Sequence, residues 1–78
     1  MEVKIYSTQI CPWCVKAKDY LKSKKITYKE YDVGEDDKAR KEMIDKSGQM
    51  GVPVLDIGGR IIVGFNQAAI DEALASGK

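Results

Sequence analysis

The chain has 78 residues, 44% of them hydrophobic, and its 13 basic and 12 acidic side chains leave a net charge of +1. So even a balance argues against a nucleic-acid or membrane-surface role built on bulk charge, and no unbroken apolar run exceeds that of Ile61-Ile62-Val63, far short of a bilayer span. Seventy-eight residues suit one domain, 1–78, long enough to fold without staples when its elements are regular.

In chain order, Val3 to Thr8 reads as a short strand in which Val3 and Ile5 alternate with Lys4 and Tyr6. It runs into Cys11-Pro12-Trp13-Cys14, which holds both cysteines of the chain. From Pro12 a helix carries Cys14, Ala17 and Leu21 on one face, with Lys18, Lys22 and Lys25 on another that reads as solvated. Ile26 to Val33 is rich in β-branched and tyrosine residues and predicts a second strand ended by Gly34. Glu35, Asp36 and Asp37 open a second helix with a thin core face of Ala39, Met43 and Ile44, closed by Gly48. A third strand, Val54 to Ile57, follows Gly51-Val52-Pro53, and Gly58-Gly59 signals a hairpin into a fourth, Arg60 to Val63. After Gly64-Phe65, Asn66 suits the N-cap of a last helix with Ile70, Ala73 and Leu74 inward. The order is β-α-β-α-β-β-α, an α/β arrangement.

Two thiols at Cys-x-x-Cys spacing can close into a disulfide across one turn and reopen. A strand-to-helix junction puts Cys11 at a helix N-terminus, where unpaired N–H groups and the helix dipole favour a thiolate, and Pro12 at the first helical position, where its missing N–H costs nothing. Cys14 falls one turn inside, facing the core. The asymmetry predicts that Cys11 attacks and Cys14 resolves. Extra thiolate at Cys11 is largely offset by lower intrinsic nucleophilicity; the larger benefit is a better leaving group when Cys14 attacks. A purely structural disulfide over about four residues removes only about 2 kcal/mol of denatured-state entropy. Structural zinc needs four ligands, and two cysteines with no histidine make half a site, so no metal is expected on the chain alone. A cluster shared between two chains through Cys11, completed by a small thiol, is the alternative from another class.

The element order, the Cys11–Cys14 motif, Gly48-Gln49, Gly51-Val52-Pro53, Gly58-Gly59 and Gly64 together resemble the glutaredoxin branch of the thioredoxin-fold family across nearly the whole chain. The resemblance implies a four-stranded mixed sheet flanked by three helices and a dithiol–disulfide oxidoreductase with catalytic Cys11 and Cys14. It also implies a cis Val52-Pro53 bond beside the active cysteine, with Val52 offering its backbone to a peptide-like substrate. Trp13 replaces the family's more frequent tyrosine and is expected to be partly exposed and to contact partners. Trp13, Val52, Pro53, Gly64, Phe65 and Asn66 are thus the expected substrate-binding residues.

Two departures bear on the reductant. Many glutathione-binding glutaredoxins carry Lys or Arg three residues before the first cysteine and acids at the start of the last helix; this chain has Thr8, and Asn66 and Gln67. Gly64-Phe65 resembles instead a segment of NrdH-type redoxins, which take electrons from thioredoxin reductase and serve ribonucleotide reductase. The expected partners are therefore a disulfide-containing protein and either glutathione or thioredoxin reductase, with no nucleic acid, no membrane and no tightly bound cofactor. The charged start Met1-Glu2-Val3-Lys4 does not read as a signal peptide, and a cytoplasmic monomer is the expectation.

Overall fold

The computed structural model describes residues 2–76. Its elements are β1 (Val3–Ser7), α1 (Pro12–Ser23), β2 (Lys29–Asp32), α2 (Asp37–Ser47), β3 (Val54–Ile57), β4 (Arg60–Val63) and α3 (Gln67–Ser76). The sheet runs in the spatial order β2-β1-β3-β4, with β2 parallel to β1, β3 antiparallel to β1, and β4 antiparallel to β3. This is the thioredoxin-like architecture.

Alternation along each strand sends side chains to two separate cores. Val3, Ile5, Leu55, Ile57 and Ile62 face one side, where Ala17 and Leu21 of α1 and Ile70 and Ala73 of α3 cover them. Tyr6 and Val54 face the other side, under Ala39 and Met43 of α2. Tyr6 is therefore fully buried rather than the outward partner of Ile5. Its hydroxyl donates to Glu42 and accepts from Lys46 Nζ at 3.3 Å, and Lys46 also binds Asp56 of β3 at 2.6 Å. Asp56 completes its bonds with the Gly59 N–H at 2.9 Å.

Local signals account for the helix ends. Asp36 caps α2 through the N–H groups of Lys38 and Ala39, and Gly48 closes it at φ 74°, a conformation that costs glycine nothing. The second strand begins later than its composition suggests. Lys4 of β1 pairs with Lys29, the first β2 residue of the ladder; Ile26 and Tyr28 pack on the core without joining the ladder. The chain reaches them through Lys25 at φ 59°, with the Ile26 N–H bonded to Leu21 O.

Candidate active site

The loop after β1 delivers Cys11 to the start of α1 in an extended conformation (φ −108°, ψ 105°), and Pro12 begins the helix. Cys11 is the N-cap: its Sγ accepts the Cys14 N–H at 3.2 Å, one of the donors a helix start leaves without a backbone partner. The same Sγ lies 3.9 Å from the carbonyl oxygen of Val52, to which it donates as a thiol. Val52 is held there by the turn into β3, where the Val52-Pro53 bond is cis, and Pro53 O receives the Gly64 N–H at 2.8 Å. That last bond ties the β3 and β4 ends together beside the cysteine.

The two thiols differ sharply in surroundings. Cys11 is half-buried at the surface, whereas Cys14 is fully buried one turn in. Burial, reinforced by the hydrogen bond with Cys11, pushes the Cys14 thiol up to about 12, against weaker opposing contributions from a Thr8 backbone contact and the Lys18 charge.

Beside Cys11 lies an open groove of about 270 Å³ lined by Trp13, Val52, Pro53, Gly64 and Phe65. Trp13 is 55% exposed and stacks on Phe65 with centroids 6.5 Å apart, while Lys16 Nζ sits 4.4 Å from the indole centroid. Tyr20 meets the Phe65 ring edge-on at 5.9 Å and so fixes it from below. Gly64 turns the chain at φ 79° to bring Phe65 back over α1. Of the expected substrate-binding residues, the structure thus brings five into one groove next to Cys11. Asn66 stands apart from that lining: its Oδ1 accepts the Ala69 N–H at 3.1 Å and caps α3.

Two features escaped the sequence reading. A second groove, built on the loop that leads from β1 to Cys11, is lined by Thr8, Gln9, Ile10, Asp32, Gly34 and Glu35, so the surroundings of Thr8 are acidic. Lys18 departs from the solvated lysine face: its Nζ is 2.8 Å from Glu30 Oε2, which also accepts from the Ser7 hydroxyl at 3.1 Å. The available signal was Glu30, a carboxylate within an otherwise β-forming stretch, but only the fold shows that it meets α1.

The glutaredoxin family profile matches residues 3–62. The chain belongs to the glutaredoxin family. An uncharacterised glutaredoxin-like 8.6 kDa protein in the rubredoxin operon of Clostridium pasteurianum is 56% identical over 72 residues, covering 92% of this chain and 96% of that protein. Glutaredoxin 3 of Escherichia coli K12 is 37% identical over 62 residues, covering 80% and 75%. Among solved structures, the thioredoxin-like protein BC3987 superposes with a TM-score of 0.87 at 28% identity, covering 92% of this chain and 99% of that one. The glutaredoxin-like NrdH-redoxin from E. coli shares the fold, with a TM-score of 0.82 at 22% identity over 92% and 93% of the two chains. Membership places the chain among redox proteins of thioredoxin-like fold, as its motif and element order led one to expect. Among the described residues, no helix is long and apolar enough to cross a membrane.

Proposed function

We propose that this glutaredoxin-family chain is a dithiol–disulfide oxidoreductase that reduces disulfides of protein substrates. Cys11 attacks the substrate disulfide and expels one substrate thiolate; Cys14 then attacks Cys11 Sγ, releases the second substrate thiol, and leaves a Cys11–Cys14 disulfide for an external reductant. The observation that carries this reading is the inequality of the thiols: Cys11 at the surface, capped by the Cys14 N–H, and Cys14 buried behind it. The exposed Trp13 and the backbone of Val52 are the proposed contacts for a peptide-like substrate in the groove, with Pro53, Gly64 and Phe65 shaping its wall.

Thioredoxin reductase is the proposed electron source, with glutathione a poor one. Thr8 supplies no cation for a glutathione carboxylate, and Asp32 and Glu35 in the same groove repel one. Asn66 offers no charge to an α-amino group and is engaged as a helix cap. Each missing charged contact costs about 1 to 2 kcal/mol in a partly desolvated site, roughly 5- to 30-fold in affinity. We place this chemistry in the cytoplasm, on a monomer. Reduction of a protein disulfide is to be followed with NADPH and thioredoxin reductase in one series, and with glutathione and glutathione reductase in another. Faster turnover in the first series, abolished by Cys11→Ser, is expected. Turnover that survives Cys11→Ser would sink the mechanism, and equal rates at millimolar glutathione would return the electron source to glutathione.

A further inference from the structure

Resolution makes a demand that the two thiols cannot meet by themselves. Cys14 must give up its proton inside a core that opposes the anion. Lys18 stands four residues, about one helical turn, after Cys14 on α1, so the two side chains share a face. Its side chain is only 21% exposed, and Glu30 Oε2 holds the ammonium at 2.8 Å. The buried Ser7 hydroxyl donates to that same oxygen, so the carboxylate is itself fixed in place. Glu30 is in register with Ile5, and therefore rises from the face of the sheet on which α1 packs. The ammonium is thus held against β2, on the α1 face of the sheet, instead of ranging freely through water.

We propose that Lys18, held by Glu30 and Ser7, is a positioning residue for the resolving step, its fixed charge favouring the Cys14 thiolate as it forms. This rests on the oxidoreductase reading above and adds a residue to it. The charges of Lys18 and Cys14 act on each other in the required sense, each favouring the other's ionised form. The titratable groups facing the cluster are Cys11 at the start of α1, Lys18 and Lys22 on α1, Tyr28 just before β2, and Glu30 within it. In the mixed disulfide Cys11 carries no charge and no longer shares its hydrogen bond with the Cys14 thiol, so two of the influences that hold the Cys14 proton are gone, while the Thr8 backbone contact and the Lys18 charge, which favour the thiolate, remain. The step balances as follows: Cys14 loses its proton, its sulfur bonds to Cys11 Sγ, the Cys11–substrate S–S bond breaks, and the departing thiolate takes up a proton. Cys14 is oxidised and the substrate sulfur reduced.

Mixing reduced protein with one equivalent of an aromatic disulfide that releases a coloured thiolate separates the two halves of the reaction in a stopped-flow trace. The first coloured thiolate reports attack by Cys11, and the second reports resolution by Cys14. Lys18→Met is expected to slow the second phase roughly tenfold at pH 7 and to displace its pH–rate line about one unit upward, with the first phase changed less than about twofold. Lys18→Arg should restore most of the rate. Glu30→Gln, which loosens the hold on the ammonium, should slow the second phase too, but by less than Lys18→Met. An unmoved second phase in Lys18→Met overturns the inference, as does an equal slowing in Lys18→Met and Glu30→Gln, which marks a structural pair. Release of only one equivalent of coloured thiolate by the unmodified protein overturns the oxidoreductase reading itself.

Discussion

Alkylation of the reduced protein tests the inequality of its thiols quantitatively. At pH 8 an ordinary thiol with a pKa near 8.5 is about a quarter ionised, whereas Cys14, held at about 12 by burial, is ionised about once in ten thousand molecules. The deficit in thiolate is roughly 2,000-fold. A more basic thiolate is also more nucleophilic, and a Brønsted slope of about 0.4 to 0.5 returns roughly 50-fold. Cys14 is therefore expected to react about 50-fold more slowly than an ordinary exposed thiol on ionisation grounds, and more slowly still because its sulfur is buried. Timed iodoacetamide labelling, quenched and mapped by peptide mass, should give a single adduct on Cys11 long before any on Cys14. In denaturant the two should label alike. Labelling of Cys14 within a few-fold of Cys11 in the folded protein, or ahead of it, would refute the argument. The same burial has a thermodynamic sign. The unfolded thiol ionises near pH 8.5 and the folded one near 12, so stability should fall as pH rises through that interval, and Cys14→Ala should flatten this slope.

The cluster under α2 makes a further stability prediction. Lys46→Met leaves Asp56 buried with only the Gly59 N–H, and a loss of about 2 kcal/mol, or roughly 10 °C in Tm, is expected by thermal denaturation. The folded pKa of Lys46 is raised, chiefly by Asp56, so its contribution is complete below about pH 10 and lost above; Tyr6, raised to about 12 chiefly by burial, acts in the same direction because the unfolded phenol ionises first. Urea midpoints should therefore fall between about pH 10 and 12, less steeply in Lys46→Met, and a midpoint flat across that range would contradict the linkage. For the electron source, Thr8→Lys with Asn66→Asp should raise glutathione-coupled kcat/KM roughly 25-fold, the low end for two restored contacts because Asp32 and Glu35 compete for the new ammonium. Aspartate keeps the α3 cap, so Tm should hold; no gain in turnover would show the two departures to be immaterial.

What could be read from the sequence was local chemistry. Cys11 before Pro12, Asp36 before Asp37, Gly58-Gly59, and Asn66 ahead of α3 each have a short-range reason for their positions, and each stands where that reason puts it. The catalytic pair and the groove residues also depended on family resemblance, since nothing local brings Val52 and Phe65 to Cys11. What was illegible depends on partners distant in the chain. β2 begins at Lys29, where its pairing with Lys4 of β1 begins, a register the β-forming stretch from Ile26 does not show. Lys18 looked solvated because helical spacing alone cannot show that Glu30 rises beside it. Tyr6 alternates with Ile5 whether its face meets water or α2; only the packing of Ala39 and Met43 settles that it is core.

The division of roles between Cys11 and Cys14 is read from the mass of the adduct formed when Cys14→Ser protein meets a disulfide-bonded peptide. The division of roles predicts a stable one-to-one mixed disulfide whose fragments place the substrate on Cys11, accumulating because the serine hydroxyl cannot resolve it. Unmodified protein under the same conditions should instead finish with an internal Cys11–Cys14 disulfide and free peptide thiols. Substrate attached through Cys14 in a Cys11→Ser protein at a comparable rate, or no adduct on Cys11 at all, would contradict it.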